Sequence, residues 1–186
     1  MYPGSASDFL FLHECRYVTK VLPDVNPAKQ VCPHGSVALF CSDSTKDMLP
    51  HEAQRIHPAI FKLAKPGGPL RFVPSSPIGD CYESIFSDIA FGLKETFPTS
   101  GPLTTVLIGH YPCGMAGKRT TLTAQEQIHL LIEAKLKLRK RLTQEHPDLA
   151  KRTQIVPKMH VAWQNGRQRT YFLDWKNFLK LYPAKG

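Results

Sequence analysis

The sequence predicts an α/β fold with a mainly parallel central β-sheet flanked by helices. Short, wholly apolar runs such as residues 37–40 have the composition of strands that are buried on both faces. Longer segments lie between such runs, and they carry apolar residues at helical spacing, for example Ile85, Ile89 and Leu93. Strands that alternate with helices are usually joined by crossovers, and the result is a parallel sheet with helices packed on its faces.

The N-terminal half of the chain contributes an arm, a helix and two strands to this prediction. Residues 1–30 contain short apolar pieces separated by prolines, which indicates an arm or a short helix that leads into the core. Residues 50–63 have a helix-like pattern of apolar positions, and the prolines and glycines of residues 66–69 end it. Short apolar runs on either side of this helix, at residues 37–40 and 70–73, predict two strands.

The C-terminal half contributes two helices and three more strands. The first helix is predicted over residues 82–97, because isoleucine and leucine recur there every fourth residue. A buried strand is expected at residues 106–108. Two further strands, at residues 156–161 and 170–173, are predicted around the Asn-Gly turn of residues 165–166.

A capping box predicts the start of the second helix. Thr123 is followed three positions later by Glu126, so that each side chain can satisfy a backbone N–H of the first turn. Apolar residues then recur at a spacing of three or four. The predicted buried face consists of Ile128, Leu131, Ala134, Leu138 and Leu142.

Length and composition limit the class of protein. A chain of 186 residues fits one domain, here residues 1–186 with residues 1–30 as its N-terminal arm. The sequence contains neither a transmembrane run nor a recognisable secretion signal, and its five cysteines are too few and too scattered for a disulfide framework. These observations favour a soluble cytoplasmic protein with reduced thiols and no membrane association.

The net charge of +9 is compatible with an anionic partner but does not identify one. A basic segment at residues 135–141 can contact phosphates, yet no DNA- or RNA-binding motif accompanies it. A solvated helix face is therefore the favoured interpretation of this segment, and nucleic-acid binding is not predicted.

Three side chains with metal-binding chemistry follow predicted strands. Cys41 stands directly after the first strand, and His110 and Cys113 follow the strand at residues 106–108. Loops converge at the carboxyl ends of parallel strands, so these side chains are expected at one edge of the sheet. Two thiolates and an imidazole favour zinc, and three protein ligands leave a fourth position for water or substrate. The alternative is that both cysteines are small buried packing residues.

The motifs Cys41-Ser-Asp43 and His110-Tyr-Pro-Cys113 resemble those of the β-class carbonic anhydrases, and the resemblance extends over about residues 36–117. It implies that Cys41, His110 and Cys113 bind Zn²⁺, and that Asp43 either orients a zinc-bound hydroxide or acts as a fourth ligand. It further implies a lyase of the carbonate dehydratase type, which reversibly hydrates carbon dioxide to bicarbonate. A homodimer or higher homo-oligomer is expected on the same basis.

The sequence departs from the family at one informative position. The family has an arginine two residues after the aspartate, where it pairs with the carboxylate and keeps it off the metal, but this chain has Thr45. Threonine cannot form a charge-assisted, two-pronged contact with Asp43. The alternative function is therefore a catalytically degenerate zinc-binding domain, which serves a structural role or binds an anionic partner.

Overall fold

The computed structural model describes residues 4–25, 35–42, 60–97, 100–116 and 121–184. Within these ranges the chain forms a five-stranded sheet flanked by helices, which confirms the predicted α/β fold. The strands are β1 (Ser36–Cys41), β2 (Ile60–Lys65), β3 (Leu103–Tyr111), β4 (Thr153–Ala162) and β5 (Gln168–Phe172). Their order across the sheet is β2-β1-β3-β4-β5, and all neighbours are parallel except β4 and β5.

The described α-helices are α1 (Ala6–Tyr17), α2 (Tyr82–Phe91), α3 (Ala124–Glu145), α4 (Pro147–Arg152) and α5 (Trp175–Leu181). A π-helical turn, Gly92–Thr96, continues α2, so that the helix predicted over residues 82–97 is found nearly in full. The N-terminal arm contains α1. No helix in the described ranges has the length and apolar character needed to cross a membrane.

The centre of the sheet is buried on both faces, as the apolar runs predict. Leu39 of β1 is paired with Leu107 of β3, and both belong to the main hydrophobic core with residues of α1, α2 and α3. The next pair, Phe40 and Ile108, belongs to a smaller apolar cluster. Because successive side chains of a strand point to opposite faces, the helices of the main core cover the face that bears Leu39.

The second strand was predicted in the wrong place. The helix predicted over residues 50–63 extends into β2, where Ile60–Lys65 pairs with β1, while the strand predicted at residues 70–73 falls largely on a 3₁₀ turn, Gly68–Phe72. The periodicity of a short apolar run does not distinguish a helix from a strand. Residues 60–65 form a strand because they pair with β1. Pro69 cannot donate a backbone hydrogen bond, which disfavours a strand there. Residues 50–59 lie outside the described ranges.

The long helix begins where the sequence predicts. The Thr123 side chain accepts a hydrogen bond from the backbone N–H of Glu126, and the Glu126 carboxylate accepts one from the backbone N–H of Thr123. All five residues predicted to face the core are buried. The capping box and the apolar stripe therefore fix the start and the orientation of α3.

Replacing Thr123 with alanine is expected to lower the free energy of unfolding by about 1 kcal/mol, because the first turn of α3 loses a side-chain acceptor. Urea unfolding followed by circular dichroism measures the change. Thr143→Ala is the matched control, since the exposed Thr143 hydroxyl donates to the Arg139 carbonyl inside the same helix. Equal destabilisation of the two variants would contradict the assignment of the cap.

Candidate metal centre

The three predicted ligands meet at the carboxyl edge of the sheet. Cys41 is the last residue of β1, His110 is the penultimate residue of the neighbouring β3, and Cys113 lies two residues after β3 ends. The strand β3 extends beyond the predicted residues 106–108, so that His110 is held in the sheet rather than in a loop. The sulfur atoms and an imidazole nitrogen lie within 4.8 Å of one another. The structure thus brings these side chains together, and metal binding stays a prediction.

The cluster is shielded from solvent. Cys41 and Cys113 are 1% exposed and His110 is 9% exposed. The two cysteines pack with an apolar group that includes Leu70, Ile78 and Ala116. A hydrogen bond with the Cys113 thiol and burial both raise the pKa of the Cys41 thiol, and the nearby His110 ring only partly opposes this rise. The thiol is therefore protonated at neutral pH without a metal, and zinc binding would release its proton.

The backbone of the 3₁₀ turn that follows β2 supports the Cys41 sulfur. The backbone N–H of Gly67 donates to Cys41 Sγ with an N···S distance of 3.0 Å. Gly68 has φ +51°, and a Cβ atom on it would lie 2.6 Å from the Cys41 backbone nitrogen. Only glycine fits this close approach. Sequence analysis treated the Gly-Gly pair as a helix break, although two consecutive glycines after Pro66 are also a signal of close backbone contact.

The donor atoms fit a zinc ion. Among the described residues, the buried Nε2 atom of His110 has no hydrogen-bond partner, although buried nitrogens are normally paired. A metal ion would satisfy this atom together with the two adjacent sulfurs. One imidazole nitrogen and two thiolates form a set that zinc prefers over magnesium or calcium. The chemistry of the cluster thus agrees with the predicted cofactor.

Tyr111, the residue after His110 in the motif, points into the main hydrophobic core. Tyr111 is fully buried in the main core, and its ring packs edge-on against Phe9 of α1 at a centroid distance of 5.4 Å. The Tyr111 hydroxyl donates to the Asp8 carboxylate at 2.7 Å. Burial, followed by this hydrogen bond, raises the pKa of Tyr111 to about 12, so the hydroxyl remains a donor. Sequence analysis gave neither Tyr111 nor Asp8 a role.

A second histidine lies beside the cluster. His160 of β4 is paired in register with His110 of β3, and Nδ1 of His160 lies 3.0 Å from the Thr170 hydroxyl. Burial, together with the nearby His110, lowers the pKa of His160 to about 3, so its ring is neutral at physiological pH. His160 falls in the strand predicted over residues 156–161, but it has no predicted function, since a lone histidine carries no spacing signal.

Asp43 and Thr45 lie outside the described ranges. The Asp43 prediction, as hydroxide-orienting residue or fourth ligand, therefore rests on the sequence alone. Within the described ranges, Cys41, His110 and Cys113 are the one group of three or more such side chains close enough to hold a metal ion. Cys81 is half-buried at the start of α2 and does not belong to this group.

The basic segment of α3 is engaged largely within the protein. Arg139 donates to the backbone carbonyls of Ala150 and Thr153, and Arg141 pairs with Glu83 and Glu145. The sequence favours a solvated helix face for this segment, whereas Arg139 and Arg141 make contacts within the protein.

Comparison with solved structures identifies a similar fold. The β-carbonic anhydrase CafD of the filamentous fungus Aspergillus fumigatus, in one mutant form, gives a TM-score of 0.51 at 17% identity, covering 82% of this chain and 98% of that chain. Another mutant form of CafD gives 0.49 at 18% identity, with 81% and 94% covered. No protein-family model and no curated protein matches the sequence significantly. The resemblance stated from the sequence motifs is therefore confirmed at the level of the fold.

Proposed function

We propose that Cys41, His110 and Cys113 bind a zinc ion and that the protein catalyses the reversible hydration of carbon dioxide to bicarbonate. The observation that carries this proposal is the convergence of one imidazole nitrogen and two sulfurs within 4.8 Å at the carboxyl edge of the sheet. The β-carbonic-anhydrase-like fold supports it. So does the order of the motifs, in which the first cysteine ends β1, the histidine lies near the end of β3 and the second cysteine follows β3.

The proposed chemistry divides between the metal and the chain. A zinc ion acts as a Lewis acid and brings the pKa of a coordinated water close to neutrality. The chain supplies three ligands and leaves a fourth position, as catalytic zinc sites require. The apolar group around Cys41 and Cys113 excludes bulk water from the sulfur side of the centre. Gly67 fixes the orientation of the Cys41 sulfur through its backbone N–H.

Asp43 completes the proposed site through its place in the motif. Two residues beyond Cys41, its carboxylate would accept a hydrogen bond from the reacting water and orient it toward a small electrophile. This role requires Asp43 to stay off the metal, because a carboxylate ligand would occupy the fourth position. The physiological substrate in this proposal is carbon dioxide or bicarbonate.

A cytoplasmic location is proposed from the thiols of the protein. Reduced cysteines persist in the cytoplasm, and the described cysteines form no disulfide. A homodimer or a higher homo-oligomer is proposed by resemblance to the β-class carbonic anhydrases.

The second candidate function is a catalytically degenerate zinc domain, and one observation favours it. Thr45 stands where the family has the arginine that pairs with the aspartate. Without the arginine at this motif position, Asp43 is freer to become the fourth ligand and to close the site. A closed zinc site stabilises the fold and has no open position for chemistry. The positive net charge would then suit an anionic partner.

Stopped-flow measurement of carbon dioxide hydration by the zinc-loaded protein tests the proposed activity. Cys41→Ser is the comparison, because it removes one sulfur ligand and leaves a side chain of similar size. We expect the wild-type rate to exceed that of the variant by more than about tenfold at neutral to alkaline pH, which corresponds to more than about 1.4 kcal/mol of activation free energy. Equal rates, at full zinc occupancy of the wild-type protein, would reject catalysis and favour the closed zinc domain.

A further inference from the structure

A buried carboxylate in the N-terminal helix contacts the segment that carries two of the proposed ligands. Asp8 lies in the first turn of α1 and is 8% exposed. Its Oδ2 atom accepts a hydrogen bond from the Tyr111 hydroxyl at 2.7 Å. Tyr111 follows His110 directly and precedes Cys113 by two residues, so this bond joins α1 to the centre of the motif.

The same carboxylate caps the helix that follows the motif. Oδ1 of Asp8 accepts a hydrogen bond from the backbone N–H of Ala124 at 2.8 Å, and Ala124 is the first residue of α3. Asp8 therefore contacts the chain on both sides of Cys113. An N-terminal helix end favours a carboxylate because its N–H groups lack partners within the helix.

The network fixes the direction of each hydrogen bond. The backbone N–H of Ser5 donates to the Tyr111 oxygen at 2.8 Å, so the single hydroxyl proton of Tyr111 is directed to Asp8. The Ser5 hydroxyl donates to Oδ2 of Asp8 at 2.6 Å. Both carboxylate oxygens are thus paired, as a buried charged group requires.

We propose that Asp8 is a positioning residue for the metal centre, which acts by holding the Tyr111 hydroxyl and thereby fixes the segment from His110 to Cys113. This inference rests on the proposed function, since it assumes that these side chains bind zinc. Asp8 itself contacts no ligand. Asp8 would influence metal binding through the backbone of the motif. Residues that do not touch a metal but hold its ligands in place are known to strengthen metal binding in this way.

Two structural features make Tyr111 suited to transmit this effect. Its side chain points to the opposite face of the sheet from His110, because adjacent residues of a strand alternate. The ring is buried between the core and α1, with Phe9 edge-on against it. The side chains of Tyr111 and His110 therefore hold the same stretch of backbone from the two faces of the sheet, shortly before Cys113.

Titration with cobalt(II) provides the test, because its visible absorption reports the geometry and the sulfur content of the site. Tyr111→Phe removes the hydroxyl and keeps the buried ring. We expect cobalt(II) to bind about tenfold or more weakly than to the wild-type protein. We also expect altered band positions or intensities at saturating cobalt, which a loss of fold stability alone would not produce. Asp8→Asn is the second variant, and it is expected to change both readouts in the same direction.

Tyr182→Phe is the matched control. The Tyr182 hydroxyl also donates to a carboxylate of α1, that of Glu14, at 2.6 Å, and Glu14 lies about two helical turns beyond Asp8 in the sequence. This variant is expected to keep the wild-type cobalt affinity and spectrum. Wild-type affinity and spectrum in both Tyr111→Phe and Asp8→Asn would overturn the positioning role while leaving the metal centre intact. Absence of cobalt binding by the wild-type protein would overturn the metal centre itself and the inference with it.

Discussion

Replacing Cys113 with serine is expected to weaken zinc binding by at least about a hundredfold, so that zinc is lost on dialysis. Structural zinc sites are stabilised by about 10–16 kcal/mol, so losing one of the three proposed protein ligands is expected to cost about 3 kcal/mol or more, which is roughly a hundredfold in affinity. The loss is expected to be at least this large, because the buried serine hydroxyl is a far poorer zinc ligand than a thiolate and the surrounding wall is apolar. Elemental analysis after dialysis, followed by competition with a chromophoric chelator, measures both occupancy and affinity.

Cys81→Ser is the control for this experiment. Cys81 is half-buried before α2 and lies outside the cluster of three side chains, so its variant should retain one zinc ion per chain. Loss of zinc from both variants would indicate a general effect of serine substitution on the fold. Retention of zinc by Cys113→Ser would remove Cys113 from the ligand set and would leave the resemblance at the level of the fold.

Replacing Leu107 with alanine is expected to lower the free energy of unfolding by about 2–5 kcal/mol. Leu107 is fully buried at the centre of β3, between Leu39 of β1 and Pro157 of β4, so a cavity would open inside the main core. A loss of this size is a large fraction of the stability of an ordinary domain. Urea unfolding should show a lower midpoint. Both proteins are compared at the same zinc concentration, because metal binding adds stability to the folded state.

Leu136→Ala is the matched control for the core substitution. Leu136 lies on α3 and is 43% exposed, and the same side chain is shortened by the same atoms. Its variant is expected to change the free energy of unfolding by less than about 0.5 kcal/mol. If Leu107→Ala were equally mild, the packing of β3 in the centre of the sheet would have to be reconsidered.

The candidate centre depends on the topology of three elements. The parallel pairing of β1 with β3 places Cys41 beside the end of β3, while the 3₁₀ turn after β2 brings Gly67 to the Cys41 sulfur. The N-terminal helix contributes Asp8 from the opposite side. The proposed ligands are thus supported by the turn after the edge strand β2 and by the helical layer, which is the arrangement expected of a site that must hold its geometry.

Local sequence determined the elements whose signals are strong and near each other in the chain. The run of four apolar residues before Cys41, the capping box at Thr123 and the apolar stripe of α3 each depend on neighbouring residues, and the structure contains all of them. The fold class followed from the alternation of these elements. The three proposed ligands were also identifiable, because a cysteine at the end of one buried strand and a His-x-x-Cys motif at the end of another lie at the same edge of a parallel sheet.

Tertiary structure alone decided the features that join distant residues. Residues 60–65 became an edge strand because β1 offered unpaired backbone groups, which no local pattern reveals. The Asp8–Tyr111 hydrogen bond spans 103 positions, and the Gly67–Cys41 contact spans 26. The glycine pair signals a close backbone contact, but no local pattern names the distant partner in either case, since a hydrogen bond between distant residues depends on how the helices and strands pack. The sequence thus specified the chemistry of the centre, and the packing of the chain specified its support.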